Sequence, residues 1–214
     1  MRVNTDGCLL AAWARAAGDN ILDVGTGSGV IALMMAQRNP LAVIEGVDID
    51  ANSCADAEVN FAASPWQNRL TVHCADFLHI AFPQKFDLII SNPPFFSNGL
   101  KPTSHERKVS RHADSLPALS FLKKAKSCLS ENGRIAIVIP AGEFRLWETI
   151  ALAEGLSVGR ICHVSPDAEK PVHRIMAELG VDLRRQEQLL PIRNSAEEYS
   201  VEFQKLLKDF YLYL

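Results

Sequence analysis

The sequence predicts an α/β fold in which a mostly parallel seven-stranded sheet is flanked by helices. Two observations indicate it. Short apolar runs alternate with segments of helical period over most of the chain, and a glycine-rich loop leads directly from the first apolar run into a helix. A chain of 214 residues without a repeat or a flexible linker can bury a substantial core, so we expect one domain.

Seven apolar runs have the length of strands. They lie at 20–24, 42–48, 70–74, 86–91, 134–139, 156–164 and 172–179. Helical spacing is found at 30–38, 51–62, 116–130 and 142–154. Asp50 is a suitable N-cap for the second helix, and Gly133 is typical of a residue that ends the third.

The last segment, 195–214, carries aromatic and aliphatic residues at helical spacing. Ser195 and Glu198 have the spacing of a capping box at its start. We expect an amphipathic C-terminal helix that packs on the domain, since an apolar stripe of this period usually belongs to the core. A helix that binds another protein is the alternative.

Composition excludes several classes of protein. No run of about 18 uncharged apolar residues could span a bilayer, and Asp6 interrupts what would have to be a secretory apolar segment, so we expect a cytoplasmic chain. The five cysteines are spread singly, and no cluster has metal-ligand spacing; neither a disulfide framework nor a metal site is indicated. The net charge of −3 argues against a chain that is basic throughout.

The glycine-rich loop reads DVGTGSG over 23–29. Glycines let the backbone turn tightly and let a ligand approach the main chain. The spacing Gly-x-Gly-x-Gly differs from the dinucleotide fingerprint, Gly-x-Gly-x-x-Gly. It resembles motif I of class I S-adenosylmethionine-dependent methyltransferases, in which the amino-acid part of the cofactor lies over the loop. That resemblance assigns four residues to cofactor binding: Asp23, Gly25, Gly27 and Gly29.

Two further acids follow in the order of that family. Asp48 ends the second predicted strand, where the resemblance implies that it accepts hydrogen bonds from both ribose hydroxyls. Asp76 follows the third strand and would receive the adenine amino group, with Phe77 flanking the ring. Any one of these acids alone would be read as a strand-end or capping carboxylate. Three acids in register with the loop favour a cofactor site.

The string SNPPFF at 91–96 closes the fourth predicted strand. Two successive prolines remove two backbone donors, so that carbonyls and the Asn92 side chain remain as acceptors for an amino group. The string matches the [Asn/Asp/Ser]-Pro-Pro-[Tyr/Phe/Trp] motif of methyltransferases that act on planar exocyclic or amide nitrogen. The alternative is a rigid turn with core aromatics.

An exocyclic amine is a poor nucleophile because its lone pair is delocalised into the ring. Asn92 Oδ1 and the Pro93 carbonyl would accept its two hydrogens and localise the lone pair without a strong general base. Phe95 would stack on the base, a contact worth about 1 to 3 kcal/mol. The predicted catalytic residues are Asn92, Pro93, Pro94 and Phe95, and Asn92 also borders the cofactor.

Segments outside these motifs resemble one particular family within this class of methyltransferases. The opening VNTDGCLLAAW at 3–13 and the ending YSVEFQKLLKDFYL at 199–212 are similar to the corresponding parts of the bacterial tRNA1(Val) adenine-37 N6-methyltransferase family, and the loop after the tetrad is similar as well. That family usually has a further segment before the opening stretch. In this sequence Met1 lies only two residues before the opening stretch, which predicts a shortened lid over the cofactor or a start codon further upstream.

The resemblance implies a Rossmann-like class I methyltransferase fold with S-adenosyl-L-methionine as the cofactor and N6 of adenine 37 of a tRNA as the target. It adds Thr5 and Asp6 to the cofactor-binding residues. The single domain, 1–214, would have a cofactor half of about 1–91 and a substrate-facing half of about 92–214. We expect a monomer.

A local basic segment follows the tetrad. Between Lys101 and Lys126 the chain has seven basic and two acidic residues, a balance of +5 in a chain of −3. A phosphate backbone must run there if its base enters the pocket. The candidates for contact with RNA are Lys101, Arg107, Lys108, Arg111 and His112.

Three other functions share parts of this pattern. Methylation of a release-factor glutamine uses the same tetrad, but that family typically has a helical domain before motif I. A ribosomal guanine-N2 enzyme usually carries a duplicated domain. A noncatalytic RNA-binding module would not need Asn92 and the three acids.

Overall fold

The computed structural model describes residues 5–93, 106–196 and 198–211, with the backbone alone for 106–116. Its helices are α1 (Thr5–Trp13), α2 (Val30–Arg38), α3 (Ala51–Ala62), α4 (Glu106–Cys128), α5 (Phe144–Ala153) and α6 (Val201–Leu207). Its strands are β1 (Asn20–Val24), β2 (Val43–Asp48), β3 (Leu70–Cys74), β4 (Phe86–Ser91), β5 (Leu129–Pro140), β6 (Ser157–Asp167), β7 (Arg174–Gly180) and β8 (Gln186–Arg193).

The strands of the described residues form one sheet in the order β3-β2-β1-β4-β5-β7-β6-β8. The first five pair in parallel, β7 is antiparallel to both of its neighbours, and β8 is parallel to β6. The strand order reverses where β1 pairs with β2 on one side and with β4 on the other. In open α/β sheets, ligands bind beyond the carboxyl ends of the strands at such a reversal. This places the candidate site just after Val24 and Ser91.

The predicted α/β class is confirmed, and β1, β3, β4, α2 and α3 have the predicted bounds. The described sheet has eight strands instead of seven, because β8 was missed. The first three residues of β8 are polar, the first four are exposed, and the strand contains Pro191. Edge strands tolerate both features, since one side of the strand pairs with nothing.

The predicted start of the C-terminal helix is wrong. Asn194 Oδ1 accepts the N–H groups of Ala196 and Glu198, which closes a turn before the helix. The helix begins at Val201, and Ser200 caps it by accepting the N–H of Phe203 at 3.1 Å. The expected packing on the domain is confirmed, since Phe203 is buried in the core beside α1.

Several other boundaries differ from the sequence prediction, and the largest of these differences lie at the starts of β5 and α4. Gly133 lies inside β5, where a Cβ would come within 2.7 Å of the Phe86 carbonyl oxygen, and it does not end α4. The helix α4 begins at Glu106, ten residues before the predicted start, and contains Pro117. Proline inside a helix removes one hydrogen bond, and α4 continues through Pro117.

Apolar clusters cover both faces of the sheet. One lies under α1, α2, α3 and α6, and the other under α4 and α5. The sequence did not predict α1, in which every residue from Gly7 to Trp13 is buried, because a helix that is apolar all round has no helical stripe. None of the described helices is long and apolar enough to cross a membrane.

Candidate active site

The glycine loop leaves β1 at the carboxyl edge of the sheet and turns into α2. Gly25, Gly27 and Gly29 have φ values of 72°, 57° and 83°, in the left-handed region that glycine adopts at little cost. A Cβ built on Gly25 would meet no heavy atom within 4 Å, whereas one built on Gly29 would lie 2.4 Å from Cε1 of Phe61. Gly25 therefore borders open space, and Gly29 is required by the packing of α3 against the loop.

Asp23 lies fully buried beneath this loop. Its Oδ2 accepts the Thr26 hydroxyl at 2.7 Å and the Ala32 N–H at 3.1 Å, and within the described ranges its Oδ1 has no hydrogen-bond partner. Burial raises the pKa of the Asp23 carboxyl to about 7; the two hydrogen bonds oppose that rise, and the Asp48 carboxylate adds to it. Asp23 thus ties the loop to α2 and keeps one oxygen unused.

Asp48 ends β2 with its carboxylate against the loop. Oδ2 accepts the Gly27 N–H at 2.8 Å, and Oδ1 accepts the Asp50 N–H at 3.0 Å. A carboxylate offers about four acceptor positions, so Asp48 can still accept hydrogen bonds from a ligand. The structure brings Asp48 together with the glycine loop, as the sequence order predicts.

Asp76 lies after β3 and caps a short turn. Its Oδ1 accepts the Leu78 N–H at 2.9 Å and its Oδ2 contacts His79 Nδ1 at 2.8 Å; in that order of importance, these contacts lower the pKa of the Asp76 carboxyl. Phe77 is only 8% exposed, with its ring centroid 5.6 Å from that of Phe121 on α4. The proposed roles of Asp76 and Phe77 toward adenine therefore stay predictions.

Two exposed apolar side chains border these acids, and neither belongs to a motif recognised in the sequence. Ile49 directly follows Asp48 and is 72% exposed, and Leu78 lies two residues after Asp76 with 42% exposed. The sequence signal that could have identified them is a large apolar residue one or two positions after a strand-end carboxylate. They provide apolar surface next to the polar loop.

Asn92 follows β4 at the reversal of strand order. The Ser91 hydroxyl donates to the Val24 carbonyl at 2.8 Å, which ties the ends of β4 and β1 together. Asn92 Oδ1 is buried and has no hydrogen-bond partner among the residues that the structure describes. Leaving a buried acceptor unpaired costs about 1 to 3 kcal/mol, so this oxygen is a candidate ligand contact. Pro93 is buried beside it, whereas Pro94 and Phe95 lie outside the described residues.

The helix α1 borders Asn92. A Cβ built on Gly7 would lie 3.7 Å from Asn92 Nδ2. Thr5, at the start of the helix, is exposed, and Asp6 accepts a hydrogen bond from Nε of Arg174 at 2.7 Å. The structure therefore brings Asp6 to the carboxyl edge of the sheet, engaged with β7.

The candidate RNA contacts lie on or just before α4. Arg107, Lys108, Arg111 and His112 belong to its first two turns, where only the backbone is described, and Lys101 lies outside the described residues. Within the part of the chain that the structure describes, no group of three or more His, Cys, Asp or Glu could hold a metal ion.

Comparisons with known proteins agree with this architecture. A family model described as "Methyltransferase small domain" matches residues 6–144. A solved structure of a predicted O-methyltransferase from Agrobacterium tumefaciens superposes with a TM-score of 0.73 at 17% identity, covering 95% of this chain and 96% of that one. A TehB-like SAM-dependent methyltransferase from Corynebacterium glutamicum gives a TM-score of 0.57 at 20% identity, covering 85% and 89%. These two likenesses show the fold.

Curated relatives are more similar in sequence. A Vibrio parahaemolyticus protein named tRNA1(Val) (adenine(37)-N6)-methyltransferase is 40% identical over 213 residues, which covers 99% of this chain and 89% of the relative. A Parabacteroides distasonis protein of the same name is 39% identical over 217 residues, which covers 99% and 91%. The chain therefore belongs to the methyltransferase small domain family and, within it, to the tRNA1(Val) (adenine(37)-N6)-methyltransferase family.

Proposed function

We propose that the protein transfers a methyl group from S-adenosylmethionine to N6 of an adenine in tRNA, namely adenine 37 beside the anticodon. The observation that carries the proposal is the buried Oδ1 of Asn92 at the reversal of strand order, for which the described part of the chain provides no hydrogen-bond partner. An amino group is the ligand that such an acceptor needs. The relatives' names supply the particular base and RNA.

The residues around the glycine loop fit the cofactor. Open space in front of Gly25 would take its amino-acid part, and the remaining acceptor positions of Asp48 would take the ribose hydroxyls. Asp76 would receive the adenine amino group, with Ile49 and Leu78 providing exposed apolar surface for the ring. When bound, the cofactor supplies an electrophilic methyl group on a sulfonium centre. Residues 1–91 then form the cofactor half.

Asn92 would act on the substrate by accepting one hydrogen of the adenine amino group at Oδ1, while the Pro93 carbonyl accepts the other. Both contacts favour a pyramidal nitrogen with a localised lone pair. These acceptors are held in place before the reaction, which is the arrangement that makes electrostatic stabilisation effective. In this proposal, Pro94 keeps the turn rigid and Phe95 stacks on the base.

The basic segment after the tetrad supports an RNA substrate. The helix α4 carries Arg107, Lys108 and Arg111 in the substrate-facing half, 92–214. Cationic side chains close to a base pocket neutralise the phosphates that flank the extruded base. An anticodon loop offers unpaired bases, so extruding its adenine costs less than flipping one from a duplex.

Modified-nucleoside analysis tests the proposal. Unmodified tRNA1(Val) transcript is incubated with the protein and methyl-labelled S-adenosylmethionine, digested to nucleosides and analysed by mass spectrometry. We expect label in N6-methyladenosine, and none with a matched transcript that has guanine at position 37. Label that is absent from adenosine, or that is unchanged by guanine at position 37, would contradict the proposal.

A further inference from the structure

We propose that Cys54 and Cys74 form a redox modification site beside the cofactor pocket, where a disulfide oxidant such as glutathione disulfide joins the two thiols and weakens cofactor binding. The disulfide itself is independent of the protein's activity. Its effect on the cofactor rests on the proposed function.

The fold brings the two cysteines together between α3 and β3. Leu70, Val72 and Cys74 alternate along β3 and so share one face of the strand. Leu70 and Val72 pack in the core cluster that also contains Ala57 of α3, one helical turn after Cys54. The side chain of Cys74 continues that face toward α3 at the carboxyl edge of the sheet.

Both cysteines border the same backbone carbonyl. The Cys54 thiol donates to the Asp48 carbonyl at a distance of 3.4 Å, and the N–H of Ala75, the residue after Cys74, donates to the same oxygen at 2.8 Å. Cys74 also pairs in register with Asp48 across β2 and β3. Burial, and then direct interaction with the Cys74 thiol, raises the pKa of Cys54 to about 12.

The exposure of each thiol determines which cysteine reacts first. All five cysteines lie in the described residues, and Cys74 is exposed while the other four are buried. The Cys74 thiolate attacks one sulfur of glutathione disulfide, which forms a mixed disulfide and expels one glutathione thiolate. The Cys54 thiolate then attacks the Cys74 sulfur and expels the second. Two glutathione thiols leave with the two protons, and the protein has lost two hydrogen atoms.

The disulfide would act on the cofactor pocket through Asp48. Closure removes the Cys54 donor from the Asp48 carbonyl and draws the first turn of α3 toward β3. That turn is linked to the Asp48 carboxylate, because Asp50 caps α3 and donates its N–H to Oδ1 of Asp48. Displacing one charge-assisted contact of a carboxylate corresponds to about tenfold weaker binding.

Intact-mass measurement tests the modification. Reduced protein is treated with glutathione disulfide, and the remaining free thiols are blocked. The intact mass is then measured, and cross-linked peptides are identified by mass spectrometry after digestion. We expect the loss of two hydrogen atoms and a Cys54–Cys74 cross-link in the wild type and in the matched control Cys128→Ser. Cys54→Ser should stop at one glutathione adduct on Cys74, and Cys74→Ser should not react. A different cross-link, or closure in Cys74→Ser, would overturn the site.

Calorimetry with S-adenosylhomocysteine tests the consequence. We expect oxidised wild type to bind about tenfold more weakly than reduced wild type, and Cys74→Ser to bind equally before and after the treatment. Equal affinity of the two wild-type forms overturns the effect on the pocket. If neither form binds while the cross-link still forms, the proposed function fails and the modification site stands.

Discussion

Arg174 donates from Nε to Oδ2 of Asp6 at 2.7 Å, and this ion pair joins the start of β7 to α1. Arg174 pairs in register with Pro140 at the end of β5, so it lies at the carboxyl edge of the sheet. The helix that it holds carries Gly7, which borders Asn92. The pair therefore fixes the position of the helix beside the proposed catalytic amide.

We predict that Arg174→Lys lowers the free energy of unfolding by about 1 kcal/mol, because an ammonium cannot reproduce the Nε contact in this partly buried pair. Arg185→Lys is the matched control: the Arg185 side chain is 49% exposed, and exposed pairs contribute little. Urea denaturation measures both. Equal losses in the two variants would show that the Asp6 contact has no special role.

Replacing Asn92 should separate turnover from cofactor binding. We predict that Asn92→Ala lowers kcat by about 10²- to 10³-fold, the usual cost of removing one preorganised electrostatic contact. It should leave the affinity for S-adenosylhomocysteine largely intact. Stability should not fall through Oδ1, since no described residue donates a hydrogen bond to it.

Asn60→Ala is the control for that experiment, because Asn60 is an asparagine of α3 whose Nδ2 donates to the Ser28 carbonyl. Its kcat should stay close to that of the wild type. A loss of cofactor affinity in Asn92→Ala that matched its loss of turnover would indicate a structural role for Asn92.

Asp48→Ala should have the opposite effect. Removing the carboxylate takes away the expected ribose contacts and the acceptor of the Gly27 N–H, so we predict about 10- to 100-fold weaker cofactor binding. Initial rates at increasing concentrations of S-adenosylmethionine measure this. Most of the rate should return at saturation, and a rate that stays low there would mean that Asp48 has another role.

Two glycines of the loop should respond differently to the same change. The methyl group of Gly25→Ala would lie in open space, so the only cost to stability is that alanine must adopt a left-handed backbone, about 1 to 2 kcal/mol. The same methyl group should block binding of the cofactor. Gly29→Ala adds a clash with Phe61, and we predict a loss of at least about 3 kcal/mol. Calorimetric binding and urea denaturation together distinguish them. A smaller stability loss for Gly29→Ala than for Gly25→Ala would contradict this assignment.

The sequence predicted those residues of the site that have a suitable side chain and also lie at the end of a strand. Asp48 ends β2 and Asn92 follows β4, and both strands pair in parallel with β1, so the two residues lie at the same edge of the sheet. Arg174 was missed because its partner, Asp6, lies 168 residues away and no local pattern reports the contact. The predicted start of α6 was wrong because Asn194 Oδ1, and not the Ser195 side chain, accepts the N–H groups that follow, which closes a turn before the helix.

Asp23 should make the stability of the ligand-free protein depend on pH. Its pKa rises from 3.8 to about 7 on folding, so between these values the folded state binds more protons than the unfolded state. The contribution of Asp23 to the free energy of unfolding is therefore full below about pH 4 and is lost as the pH rises to about 7. Asp23→Asn removes this dependence, because the amide does not titrate. It leaves a buried amide NH2 group unpaired at every pH.

We predict that the variant's free energy of unfolding increases relative to that of the wild type as the pH rises from 4 to 7, by at most about 1.4 kcal/mol per pH unit. Urea denaturation of both proteins across this range measures the difference. Parallel stability curves would show that the buried carboxyl stays ionised in the folded protein. A free energy of unfolding of the variant that decreases relative to that of the wild type as the pH rises would reverse the sign, and would mean that the hydrogen bonds from Thr26 and Ala32 outweigh the desolvation of Asp23.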